Sequence, residues 1–237
     1  MCTTGGRAGV GARSCGGPLT RAGSSNTVSR LVTWIVGITY LLFMVMTFVA
    51  PGFTREFAAK EGPLEHVQHV LLVAGIGAWI VAAFRAAKGR GWALAIAIFL
   101  MFVLGEELNW GEVVGITAVS DPLRRAIGRT NVHNYWWGMS YHLFALPLLA
   151  LFGAGFFAHF APKRSSSGWL GAWRAAFGDL IPTRDQTMAA GLVAVCTVVF
   201  GLALSAFESE LDEVKETVVY VLLLGVGAGR RGGGARP

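Results

Sequence analysis

The feature that most constrains this chain is a run from Leu31 to Ala50, 20 residues without a charge. A helix needs about 20 apolar residues to cross the hydrocarbon core of a bilayer. The run is longer than the apolar core of a cleaved signal, and Phe48 spoils a small-x-small cleavage site ending at Ala50, so it reads as a signal anchor. Five further apolar segments follow, at 66–87, 91–109, 142–161, 187–206 and 211–229. Pro51, Gly52, Gly89, Gly91, Pro162 and Pro182 fall where helix ends and loops belong. The pattern predicts an all-α integral membrane helical bundle of about six transmembrane helices over 31–229.

Composition points the same way. The 237 residues are 54% apolar and only 14% charged, well below the charge density of water-soluble domains. The net charge of +6 does not signal nucleic acid, because the basic residues sit between apolar runs, where they set orientation in a bilayer. Residues 1–30 hold Arg7, Arg13, Arg21 and Arg30, no acid and much Gly, Ser and Thr, the composition of a disordered basic tail, and 230–237 form a second basic tail. Cys2, Cys15 and Cys196 make neither a disulfide framework nor a C-x-x-C motif, which removes thiolate zinc and dithiol redox chemistry.

With both termini cytoplasmic, 14 of the 20 Lys and Arg residues lie inside, as the positive-inside rule requires of a multi-pass protein of the inner (plasma) membrane. The same orientation sends 12 of the 14 acids outward, together with His66, His69, His133 and His142. On the inner side, 163–181 interleaves Trp169, Leu170, Trp173, Phe177 and Ile181 with Lys163, Arg164 and Arg174, which predicts an interfacial amphipathic helix on the lipid surface.

The outward acids are not all in water. From Trp92 to Glu106 a helix climbs about 21 Å of a core about 30 Å thick, so Glu106 and Glu107 fall at membrane depth. Counting back from Arg230 puts Glu216 at a similar height, with Glu213 and Asp212 a turn further out. Glu61, Glu65 and His69 are spaced four apart and share a stripe on a helix that Pro63 helps to start. Buried ionisable groups are costly unless paired or neutralised. Lys215 is the only base close to these acids in sequence, so the set is expected to carry protons or hold a cation. The competing reading is that helix three shifts outward and helix six does not span, which would leave the acids solvated. Glu56, Glu112, Asp121 and Glu210 read as solvated in either case, and His142 and His159 as structural.

Two motifs add polar groups. In G-E-E-L-N-W-G-E, residues 105–112, helical spacing would place Glu106, Asn109, Trp110 and Val113 on one face. In N-V-H-N-Y-W-W, residues 131–137, a segment dipping into the bundle would deliver Asn131, His133 and Asn134. These residues resemble a family of uncharacterised bacterial polytopic membrane proteins that pair G-E-E-x-x-W-G with a later N-x-H-N and an acidic stretch before a final helix. The resemblance covers about Glu61 to Glu216 and implies the membrane fold but no catalytic role. Glu112, where the family more often has an amide, and the quick run of the last helix into G-R-R-G-G-G-A-R-P depart from it.

His66, His69 and a nearby Glu look like half of a di-metal bundle, but the second Glu-x-x-His is missing. Imidazoles with two or three carboxylates suit a divalent transition metal: zinc, iron or manganese. G-x-S-x-G, H-E-x-x-H, P-loop and Rossmann patterns are absent. The expected function is a metal-assisted hydrolase or transferase acting on a lipid or lipid-linked substrate, with its site open to the outer side. Glu106, Glu107 and Glu216 would be its catalytic groups, Glu61, Glu65, His69 and His133 its metal ligands, and Asn109, Trp110, Asn131, Asn134, Asp212 and Glu213 its pocket. A proton- or cation-coupled transporter using the same acids, or a non-catalytic assembly subunit, stands as the alternative.

Overall fold

The computed structural model describes residues 23–59, 62–86, 89–128, 139–160, 168, 171–172, 180–203 and 205–229. Among these every regular element is helical: α1 Gly23–Val49, α2 Pro51–Phe57, α3 Pro63–Arg85, α4 Arg90–Glu107, α5 Ser120–Ile127, α6 Met139–Phe160, α7 Arg184–Ala203 and α8 Glu208–Ala228. The six long helices, α1, α3, α4, α6, α7 and α8, coincide with the six apolar segments. α1 begins at Gly23, ahead of the apolar run at Leu31. α3 opens with Pro63 in its first turn, where the missing N–H costs nothing and the fixed φ favours the helix.

Three helical segments are long and apolar enough to cross a membrane: Arg30–Val49, Pro63–Arg85 and Arg184–Ala203. Twenty residues at about 1.5 Å each match a hydrocarbon core about 30 Å thick. Their outward faces are apolar: Trp34, Phe48, Val70, Phe84 and Leu202 are all exposed, Leu202 by 83%. A belt of that kind drives association in water and is at home in lipid. By length and composition this is therefore a multi-pass membrane protein.

α8 does not qualify as a span on composition, because Glu208, Glu210, Asp212, Glu213, Lys215 and Glu216 crowd its first half. Its neighbours explain how it is accommodated. α8 packs against α1, α3 and α7. Leu211, Val214, Val218 and Leu222 are buried in one apolar cluster, with Val32, Val36 and Tyr40 of α1 and Ala189 and Val193 of α7. Tyr220, Leu223 and Val226 are buried in a second, with Leu72 and Trp79 of α3 and Ala97 and Leu100 of α4. Two glycines permit this enclosure: a Cβ on Gly225 would sit 2.4 Å from Val32, and one on Gly227 would sit 3.2 Å from Trp79. The Trp79 indole then donates to the Leu223 carbonyl at 3.0 Å. The helix least compatible with lipid is the one most shielded from it.

α3 and α4 pack closely: Gly75, Ala93 and Ala97 are small residues that let membrane helices approach, and Leu100 is buried against Gly75. At the opposite end of the bundle from Glu65 and Glu107, Gly155 of α6 meets Thr187 and Pro182. There His159 Nε2 donates to the Pro182 carbonyl at 2.8 Å, the structural role expected of it.

One predicted element is corrected. α4 ends at Glu107 rather than continuing through Asn109, and Asn109–Val114 form a 3-10 segment. Asn109 and Trp110 have φ of 49° and 54° and Gly111 has φ of 100°, so the chain leaves the helix in left-handed conformation. The helical face that would have joined Glu106, Asn109, Trp110 and Val113 does not exist. Residues 1–22, 230–237 and most of the predicted interfacial helix at 163–181 lie outside the described residues.

Candidate metal centre

Glu65 and His69 lie one turn apart in the first half of α3, so their side chains leave the same face by helix geometry alone. His69 Nε2 stands 3.8 Å from Glu65 Oε1. α4 runs antiparallel to α3 after a short connection, which brings its last residue, Glu107, to the same end. One ligand atom from each of Glu65, His69 and Glu107 falls within 4.8 Å of the others. Glu65 is buried, and His69 and Glu107 are half-buried. His69 Nε2 is buried without a hydrogen-bond partner among the described residues.

A metal at about 2.1 Å from nitrogen and oxygen ligands sets tetrahedral donors about 3.4 Å apart. The Glu65–His69 pair is nearly at that spacing, and Glu107 would close the rest by a rotamer adjustment of about an ångström. Two hard carboxylates and one imidazole fit zinc, iron or manganese.

α8 furnishes the third wall. Tyr220 is buried and its hydroxyl donates to Glu107 Oε1 at 3.5 Å. Glu216, one turn before it, lies within electrostatic reach of Glu107 and Glu213 and accepts no hydrogen bond from the described residues. Glu213 is held from α3: the fully buried Gln68 donates through Nε2 to the Glu213 carboxylate at 2.9 Å and to the Glu213 carbonyl at 2.8 Å. The same nitrogen stands 3.2 Å from Thr217 Oγ1, and Gln68 Oε1 is buried without a hydrogen-bond partner among the described residues. Asp212 pairs with Lys215 one turn along, and both lie within electrostatic reach of Glu216.

Glu106 is only 2% exposed, and its Oε1 accepts from Trp110 Nε1 at 2.6 Å. The pairing expected from helical spacing exists, but the left-handed turn makes it by folding Trp110 back over α4. Its ring covers Gly105, where a Cβ would meet ring carbons at 2.9 Å, and it meets the Phe102 edge with centroids 5.5 Å apart. Left-handed backbone costs about 1–2 kcal/mol per L-residue. The short hydrogen bond and the ring contacts offset that strain. At Gly111 only glycine fits, since an added Cβ would lie 2.3 Å from the Ile116 carbonyl.

Of the predicted site residues, the structure brings Glu65, His69 and Glu107 together and places Glu213 and Glu216 beside them. Glu106, on the last turn of α4, is paired with Trp110 of the 3-10 segment that follows. Asn109 is half-buried in the reversal, and Asp212 is paired with Lys215. Glu61, Asn131, His133 and Asn134 lie outside the described residues. His66 is exposed, its ring 6.1 Å from that of His69. Glu112 pairs with Arg124, and that hydrogen bond pushes the Arg124 guanidinium further up from its usual value. Glu210, expected in water, is buried, with its carboxylate accepting from Ser209 Oγ at 2.9 Å, because the first turn of α8 is already packed among its neighbours. Sequence reasoning passed over Gln68 and Tyr220. Their signal was available: a lone Gln within an apolar span, and a Tyr four residues after a carboxylate.

Comparison with protein families, with curated proteins and with solved structures finds no match to this chain. The resemblance carried by G-E-E-x-x-W-G and N-x-H-N therefore rests on those motifs alone.

Proposed function

We propose that this chain is a six-span protein of the inner membrane with both termini cytoplasmic, in which Glu65, His69 and Glu107 hold a divalent transition metal near the outer face. The observation that carries the reading is the grouping of one ligand atom each from Glu65, His69 and Glu107, on two different helices, within 4.8 Å of one another, where His69 Nε2 is buried with no hydrogen-bond partner among the described residues. A buried polar atom without a partner loses its solvation and gains nothing in return, and a metal ion resolves that deficit here. The two carboxylates also balance a divalent charge, which makes the loaded group neutral in a medium where net charge is expensive.

The chemistry that follows is metal-assisted hydrolysis or group transfer. A metal at this place would polarise an ester or activate water. Glu216, within electrostatic reach of Glu107 and without a hydrogen-bond donor among the described residues, is the group to take or return the proton. Tyr220 fixes Glu107, and Gln68 fixes Glu213 so that this second carboxylate does not crowd the first. A site at the end of lipid-facing helices favours a lipid or lipid-linked substrate. A transport path draws less support, because His159 at the other end of the bundle is engaged with Pro182.

The test is metal stoichiometry. Protein purified in detergent and loaded with zinc or manganese is expected to retain about one ion per chain, and Glu107→Gln is expected to lose it while remaining folded. Wild-type protein that stays free of metal after loading, at unchanged thermal stability, overturns the reading.

A further inference from the structure

Glu65 is the third residue of α3, and a carboxylate oxygen of Glu107, the last residue of α4, lies within 4.8 Å of one of its own. α4 therefore ends about 3 Å inside the level at which the α3 span begins, and the chain that follows runs along the edge of the hydrocarbon. From Val113 to Val119 it reads V-V-G-I-T-A-V, seven consecutive exposed residues without a charge. Val113, Val114, Ile116 and Val119 are between 48% and 62% exposed. Apolar side chains scattered singly are normal on a surface, but four within seven residues make a patch that needs a partner. The patch is preformed. Ile116 N–H donates to the Gly111 carbonyl at 2.8 Å, Gly115 N–H to the Glu112 carbonyl at 3.0 Å and Val113 N–H to the Leu108 carbonyl at 3.3 Å. Arg124 of α5 pairs with Glu112 across the base of the turn. Backbone donors already satisfied inside the turn do not have to be stripped of water when it enters lipid.

We propose that the turn 113–119 and the arginine after it form a lipid-docking element. Its four apolar side chains sit among the acyl chains of the leaflet at this end of the bundle, and the Arg125 guanidinium holds a headgroup phosphate. Three observations select lipid over other partners. The patch continues a surface that already faces lipid: Leu94, Ile98, Met101 and Phe102 form an exposed apolar stripe on α4, and the Trp110 ring meets Phe102 with centroids 5.5 Å apart. The turn also starts at the level where acyl chains give way to headgroups. Arg125, finally, is exposed and, unlike Arg124, has no charged or hydrogen-bonded partner among the described residues. A guanidinium presents a planar fork of donors that matches phosphate, and its long stem can lie on apolar surface while the head reaches the headgroups. Binding of an interfacial segment grows with its buried apolar area and with the attraction of its cations to the headgroup layer. Glu65, His69 and Glu107 take no part, so the turn docks whether or not the metal group is loaded.

The experiment measures depth in the full-length protein reconstituted in vesicles of phosphatidylcholine and phosphatidylglycerol. A nitroxide is attached at Ile116→Cys in a background without Cys2, Cys15 and Cys196. Its collisions with oxygen, which concentrates in hydrocarbon, are compared with those with a neutral, water-soluble nickel chelate. Oxygen is expected to dominate at position 116, and nickel at a control nitroxide on Glu56→Cys, an exposed position of α2. Arg125→Gln is expected to raise nickel access at position 116 by about fivefold, the share of binding that one cation supplies on an anionic leaflet. Arg125→Lys, which keeps the charge, should preserve most of the wild-type protection. Dominance of nickel at position 116, or nickel access unchanged by Arg125→Gln, overturns the proposal. Shielding from both reagents marks a protein partner, such as a second copy of this chain, and overturns it as well. A nitroxide at Val119→Cys takes the same reading if the Ile116 variant does not fold.

Discussion

Single residues decide the geometry at the end of α4. Gly111 combines a φ of 100° with a Cβ position that would strike the Ile116 carbonyl at 2.3 Å. Gly111→Ala is therefore expected to cost about 1–3 kcal/mol, the range for strained backbone positions, and to lower the midpoint of thermal unfolding in detergent. An unchanged midpoint would mean that the reversal relaxes freely. How far such details were legible depends on range. The Glu65–His69 neighbourhood was legible because four residues on a helix meet by local geometry. The Trp110–Glu106 partnership was foreseen for a different reason from the real one, since periodicity assumed a helix that in fact ends at Glu107. Left-handed φ at Trp110 has no signature of its own in a sequence; only its neighbours Asn109 and Gly111, residue types that tolerate that region, hinted at it. Gln68 and Tyr220 went unread because each joins partners more than a hundred residues away.

Among the elements, α8 depends most on its neighbours. Gly225 sits against Val32 so closely that a side chain there cannot be accommodated without moving α1. Gly225→Leu is expected to destabilise the bundle by about 1–3 kcal/mol, the usual cost of overpacking, as a lower unfolding midpoint in detergent, whereas Gly37→Leu, where a Cβ meets nothing within 4 Å, should leave it unchanged. Equal effects at the two positions would contradict the packing described for α1 and α8. Element positions were largely legible, because uninterrupted apolar runs and Pro or Gly punctuation survive any tertiary arrangement. The enclosure of α8 was not: its acids suggested doubtful spanning, and only the glycines and the buried faces of α1, α3 and α7 show how it is housed.

For the whole molecule, the membrane reading makes a prediction about sides. Single cysteines at Glu56 and at Gly89, placed in a background without Cys2, Cys15 and Cys196, should label oppositely with an impermeant maleimide added outside sealed right-side-out vesicles. Glu56→Cys should react and Gly89→Cys should not. Reaction of both would remove the orientation derived from the positive-inside count. Class and membrane character could be read from apolar length, while the convergence of α3, α4 and α8 around one polar group needed three dimensions. That arrangement also bears on biogenesis. A segment as acidic as the first half of α8 is a poor candidate for independent release from a translocon into lipid. It follows α1, α3 and α7 in the chain, so its hosts are synthesised before it emerges. Insertion of the last helix and closure of the polar group are then one event, and a chain halted before α8 would leave Glu107 facing open bilayer.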